Sequence, residues 1–181
     1  SEMCIRDRIW FEIAWEALEE SGYTSGKYDG SIGVFAGCGY LPTYLLHNLC
    51  ADRKYIEELV RMRAVDAFTA IVGNDKDFLP TRTSYLMDLD GPSVNVQTAC
   101  STSLVAVAQA CQSLLNFDSD ICIAGGISIQ LPQERGYFAQ EGGMDSTDGH
   151  CYVFDARAKG TVFSHGAGAV ILKRVDDALA D

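Results

Sequence analysis

The chain predicts an α/β layered fold with its sheet covered on both faces. Three observations point to it. Segments of helical periodicity alternate with short apolar runs of strand length. Those runs are continuously apolar, as in strands buried on both sides. One helical segment is apolar nearly all the way round, which predicts a central helix between two layers.

The first helix is predicted over 9–21. Ile9, Ile13 and Ala17 form one apolar row, Phe11, Trp15 and Leu18 another, and Glu12, Glu16, Glu19 and Glu20 face outward. Gly22 supplies its stop. The run 31–37 (SIGVFAG) predicts a buried strand. Residues 42–60 read as helical but poorly phased, and 66–73 and 76–89 give two further helices. Pro80 sets the start of the last of these, since proline is tolerated in a first turn. A β-branched strand is expected over 93–97 and the all-round apolar helix over 101–116. A strand over 120–124 is expected to end at Gly125 and Gly126. Residues 131–149 read as loop, 168–173 as a strand, and 175–180 as the beginning of a helix.

Composition narrows the function. With 14 Lys and Arg against 25 Asp and Glu, the net charge of −11 argues against general binding of nucleic acid or anionic membrane. The apolar stretches are far shorter than the roughly 20 residues of a membrane span. Seven cysteines at irregular spacing, with no CxxC, argue against a disulfide framework or a zinc site and predict a reducing cytoplasm. The glycine-rich stretch 164–170 (SHGAGAV) is neither GxGxxG nor a P-loop, so Gly166 and Gly168 are read as permitting close backbone approach. No bound cofactor and no metal is expected. Arg53, Lys54, Arg61 and Arg63 form a basic cluster, read as a solvated helix face.

Chemistry concentrates at residues 94–105 (VNVQTACSTSLV). A strand ends, two small residues turn the chain, and Cys100 falls where a helix begins. A helix N-terminus offers unpaired N–H groups and the positive end of the macrodipole, and both favour a thiolate. A backbone N–H at the turn is also placed to bond the oxyanion formed when a thiol attacks a thioester carbonyl. Cys38, Cys50, Cys111, Cys122 and Cys151 lack this placement and are read as structural.

The segment 96–114 (VQTACSTSLVAVAQACQSL) closely resembles the active-site segment of the β-ketoacyl synthases, in particular the ketosynthase domains of modular (type I) polyketide synthases. That family has T-A-C-S-S-S-L-V-A there, and this chain carries Thr102 in place of the middle Ser. Residues 11–23, 32–37, 77–100, 124–129, 148–162 and 166–181 resemble further blocks of the same pattern in the same order. The resemblance implies the thiolase fold (αβαβα layers), of which this chain would be the N-terminal half only, and a homodimer in the full domain. It implies that Cys100 takes an acyl chain from the phosphopantetheine of an acyl carrier protein. A malonyl-type extender then condenses with that chain by decarboxylation, with other polyketide synthase domains in the same chain. The family's two catalytic histidines belong to an H-G-T-G-T and an N-x-G-H block, and neither occurs here. His47, His150 and His165 are read as structural or surface residues. The chain alone is therefore expected to be inactive in condensation.

Residues 1–8 (SEMCIRDR) depart from the family pattern and are expected to be a foreign or misread leader. Residues 9–181 are expected to be the N-terminal half of a ketosynthase domain, truncated at its C-terminus. The competing readings are another thiolase-fold acyltransferase and a non-condensing dimerisation or carrier-partner module. The TACSTS context opposes the first and the presence of Cys100 the second.

Overall fold

The structure is a computed structural model that describes residues 5–24, 26–39, 54, 57, 61, 75–130 and 136–181. In chain order its elements are α1 (Ile5–Ser21), β1 (Ile32–Cys38), α2 (Leu79–Met87), β2 (Ser93–Asn95), a 3-10 turn (Ala99–Ser101), α3 (Thr102–Leu115), β3 (Ile121–Ser128), β4 (Gly166–Lys173) and α4 (Val175–Ala180). The sheet order is β2-β1-β3-β4. β1 runs parallel to both β2 and β3, whereas β4 lies antiparallel to β3.

Alternation along the two central strands builds a core on each face. Ile32, Val34, Ala36 and Cys38 of β1, with Ile121, Ile123 and Ile127 of β3, pack against Trp10, Ala14 and Leu18 of α1 and Leu79 and Met87 of α2. Phe35, Cys122 and Ala124 point the other way, onto Ala106, Ala110 and Leu114 of α3. Both faces of the sheet are thus covered, as the uninterrupted apolar runs predict. The buried Trp10 Nε1–H donates to Thr83 Oγ1 at 2.9 Å, and that hydroxyl donates to the Leu79 carbonyl at 2.7 Å, tying α1 to α2.

Four sequence expectations need correction. α1 begins at Ile5 rather than residue 9, because Asp7 is buried in an ion pair. Its carboxylate accepts from Arg6 Nε at 2.8 Å and from Arg82 Nη1 of α2. That partner lies 75 residues away, so local periodicity carries no trace of it. β3 does not stop at Gly125 but continues through both glycines to Ser128. A Cβ on Gly125 would stand 2.1 Å from the Gly168 carbonyl oxygen, so that glycine is what admits β4. Gly166 and Gly168 themselves have open space where a Cβ would be, contrary to the close approach expected there. Finally, α3 is buried on one face only. Ala106, Ala110, Ser113 and Leu114 face the sheet, while Leu104 and Leu115 are 73% and 65% exposed. The second layer expected over α3 is not among the described residues.

The remaining boundaries agree within a few residues. Gly22, with φ of 83°, closes α1, its N–H bonding Glu19 O and the Tyr23 N–H bonding Leu18 O. Pro80 sits in the first turn of α2. The predicted helix over 66–73 and most of 42–60 lie outside the described residues, as do Arg53 and Arg63. Lys54 and Arg61 are helical and exposed. No helix among the described residues is long and apolar enough to cross a membrane.

Two cations knit the C-terminal part to the rest. Arg174 donates from Nη1 to the Leu114 and Ser119 carbonyls (3.0 and 2.7 Å), from Nη2 to Asp120 (2.7 Å) and from Nε to Asp177. It therefore caps the carbonyl end of α3 while anchoring α4. Lys173 pairs with Asp181 and lies 4.5 and 5.0 Å from the ring centres of Tyr23 and Tyr28.

Asp7→Ala is expected to lower the unfolding free energy by about 2 kcal/mol, less than a fully buried pair because Arg82 keeps solvent access. Glu12→Ala, which breaks an exposed pair with Arg8, should change it by under about 0.5 kcal/mol. Urea denaturation of the folded protein checks both, and equal midpoint shifts would contradict the assignment. The Ser31 N–H, followed by Arg174, holds the Asp120 carboxyl below the usual carboxylate range. A depressed folded-state pKa stabilises above the unfolded pKa and ceases to do so as pH falls through the folded one. The deficit of Asp120→Asn should therefore be present at neutral pH and shrink in acid, read from melting temperatures across a pH series.

Candidate active site

The site is the junction of β2, the 3-10 turn and α3. β2 leaves the sheet after Asn95, and Val96 holds the edge one residue longer through its N–H to the Ala36 carbonyl (3.0 Å). Gln97 continues the ladder with its side chain. In the amide orientation that satisfies both groups, it donates to the Cys38 carbonyl at 3.0 Å and accepts from the Cys38 N–H at 3.1 Å. The chain then reverses at Ala99, whose φ is 56°, a left-handed conformation in a residue with a Cβ. Cys100 follows in the 3-10 turn, exposed, two residues before the first residue of α3.

Side chains around the turn hold it. Ser101 Oγ donates to the Thr98 carbonyl at 2.9 Å and lies 3.0 Å from Thr98 Oγ1. The Thr98 N–H donates to Thr102 Oγ1 at 3.0 Å, and that hydroxyl donates to the Ala99 carbonyl at 2.8 Å. Beneath the turn the sheet presents glycines. A Cβ on Gly37 would stand 1.9 Å from the Val96 carbonyl oxygen and 2.4 Å from Thr102 Cγ2, so the turn occupies the place of that side chain. Gly126 lies beside Gly37 in register, with a virtual Cβ 3.9 Å from Ser103 Cβ. Sequence reasoning assigns this role neither to the glycines nor to the Thr102 hydroxyl. The available signal is period two along β1, which puts Gly33, Phe35 and Gly37 on the face of α3.

An exposed thiol at the start of a 14-residue helix, on a turn held by four side-chain hydrogen bonds, is placed for nucleophilic attack. The Ser101 and Thr102 N–H groups already bond the Thr98 and Ala99 carbonyls, so the donors for a developing oxyanion are the other N–H groups of the turn and first helical residues. Cys38 and Cys122 are buried, and burial pushes both thiols up. Cys111 and Cys151 are exposed, against the expectation that the remaining cysteines pack as small hydrophobes. The Thr161 hydroxyl and then the Val162 N–H pull the Cys151 thiol down. His165 Nδ1 accepts from the Gln130 N–H at 2.9 Å. His150 is exposed, its ring edge-on to Tyr152. Neither is hydrogen-bonded to Cys100, and His47 and Cys50 lie outside the described residues. Among the described residues no group of three His, Cys, Asp or Glu could hold a metal ion.

Gly37→Ala is expected to destabilise the protein by roughly 2–3 kcal/mol, because its Cβ meets backbone rather than a movable side-chain end. Chemical denaturation reads this, and an unchanged midpoint would mean that the turn does not rest on β1.

The chain as a whole is similar to known proteins. Residues 2–178 match the model of the β-ketoacyl synthase N-terminal domain. The chain is 49% identical over 166 residues to a phenolphthiocerol/phthiocerol polyketide synthase of Mycobacterium tuberculosis, covering 92% of this chain and 11% of that protein. It is 38% identical over 177 residues to phthioceranic/hydroxyphthioceranic acid synthase of Mycobacterium bovis, covering 97% and 8%. Among solved structures, ketosynthase twelve of the bacillaene polyketide synthase from Bacillus amyloliquefaciens superposes with a TM-score of 0.80 at 26% identity, covering 97% of this chain and 29% of that one. The module 6 ketosynthase of the bacillaene synthase from Bacillus subtilis 168 gives 0.74 at 30% identity, covering 97% and 27%. The chain thus spans about a tenth of the curated relatives and under a third of these ketosynthase structures. With the thiolase-like fold of the ketosynthases and a family match over nearly its whole length, the chain belongs to the β-ketoacyl synthase family.

Proposed function

We propose that this chain carries the nucleophile of a polyketide-synthase ketosynthase and that Cys100 is that nucleophile. The observation that carries the reading is the placement of an exposed cysteine on a left-handed turn at the start of α3. The Cys100 thiolate attacks the carbonyl of an acyl thioester held on the phosphopantetheine of an acyl carrier protein. The tetrahedral oxyanion collapses, the phosphopantetheine thiolate leaves, and the acyl chain remains on Cys100. Each helix-start N–H aimed at that oxyanion contributes on the order of 3 kcal/mol to the transition state. A malonyl-type extender then loses CO2, and the electron pair of the broken bond forms a carbanion. The carbanion attacks the Cys100 thioester and expels the thiolate, leaving a β-ketoacyl chain on the carrier.

The family resemblance calls for two histidines in this second step, within blocks that these 181 residues do not contain. Acyl loading is therefore assigned to the chain described here. Condensation is assigned to a longer domain, working as a cytoplasmic homodimer beside other synthase domains. The names of the curated relatives favour polyketide over fatty-acid assembly. The exposed face of α3, with Leu104 and Leu115, is the side on which the outer layers of the αβαβα fold would lie.

The test uses the complete protein, incubated with a hexanoyl N-acetylcysteamine thioester and read by peptide mass. One hexanoyl group is expected on Cys100, and Cys100→Ala should lower loading at least ~100-fold. Equal loading of wild type and Cys100→Ala overturns the assignment.

A further inference from the structure

Thr102 occupies the position where the family pattern has serine, and its side chain does something its neighbours do not. One hydroxyl spans the left-handed residue: Oγ1 accepts from the Thr98 N–H at 3.0 Å and donates to the Ala99 carbonyl at 2.8 Å. These groups lie on either side of the Ala99 φ bond, which is held at 56°. A non-glycine residue in that region is disfavoured by about 1–2 kcal/mol, so the conformation persists only where its surroundings impose it. The Ser101 hydroxyl also reaches back across Ala99, to Thr98 alone, so among these hydroxyls it is Thr102 that also holds the Ala99 carbonyl. The extra methyl of Thr102 points into the space left by Gly37, 2.4 Å from the site of a virtual Cβ.

We infer that Thr102 is a positioning residue for the reaction of Cys100. Its hydroxyl locks Ala99 in the left-handed conformation and so aims the thiol of the next residue at the acyl carbonyl. This rests on the reading of Cys100 as acyl acceptor. Thr102 touches no substrate. It acts through the turn, so it governs the rate of attack rather than the affinity for the thioester.

The experiment measures hexanoyl transfer from the N-acetylcysteamine thioester to the complete protein across a range of thioester concentrations. Thr102→Val keeps the branched shape and removes both hydrogen bonds; Thr102→Ser keeps both and removes the methyl. Thr102→Val is expected to lower the maximal loading rate roughly 10- to 100-fold at unchanged half-saturation. Thr102→Ser should stay within about threefold of wild type, less than the ~10-fold that 1.4 kcal/mol represents. Wild-type loading by Thr102→Val, alongside an inert Cys100→Ala, overturns the inference and leaves the proposed function standing. So does a loss of loading in folded Thr102→Ser, which keeps the test decisive even where the valine variant does not fold. Loading by Cys100→Ala overturns the underlying reading instead.

Discussion

Gly37 has no side chain, and the beginning of α3 stands where one would be. A Cβ there would lie 1.9 Å from the Val96 carbonyl oxygen, well inside contact distance. Because that space is empty, β2 can leave the sheet, reverse at Ala99 and enter α3 directly over β1. The position of Cys100 follows from this one backbone approach. The side chains of Thr98, Ser101 and Thr102 then fix the turn, and Gln97 replaces a missing ladder pair with its amide. Close packing at one glycine and hydrogen bonding around one left-handed residue together present a thiol at a helix start.

The rest of the described fold supports that junction from below and behind. Trp10 and Thr83 bind α1 to α2 beneath the sheet, and Arg174 holds the far end of α3 by its Leu114 carbonyl. Ser113 and Ser119 hydroxyls, both buried, pair at 2.8 Å under the same end. α3 is thus fixed at its C-terminus by charge and at its N-terminus by glycine packing. The opposite side of α3 leaves Leu104 and Leu115 exposed among polar residues such as Gln109 and Gln112.

What is legible in the sequence is whatever local chemistry decides. The β1 run, the Gly22 stop, Pro80 at the start of α2 and the strand-turn-helix around Cys100 all follow from residue type and spacing. What is not legible depends on partners distant in sequence. The first turn of α1 forms because Asp7 meets Arg82, and no periodicity in residues 5–8 announces that. Gly125 and Gly126 look like a strand end, yet they are strand interior, Gly125 because β4 must come close and Gly126 because the Gly37 carbonyl of β1 does. The antiparallel direction of β4 leaves no mark on its own residues. At the site, the cysteine is legible because a thiol at a helix start has a chemical meaning. Gly37 and the Thr102 hydroxyl are not, because their roles exist only once β1 and α3 touch.

The central claim is that the start of α3 performs the chemistry: Cys100 receives the acyl group and the helix-start N–H groups hold its oxygen. The most direct measurement is a crystal structure of the complete protein after reaction with the hexanoyl thioester. A thioester is expected on Cys100 Sγ, with its carbonyl oxygen about 2.7–3.1 Å from a backbone N–H of the turn or first helical residues. An acyl group on another cysteine, or a Cys100 thioester whose oxygen points away from every N–H of that turn, would contradict it.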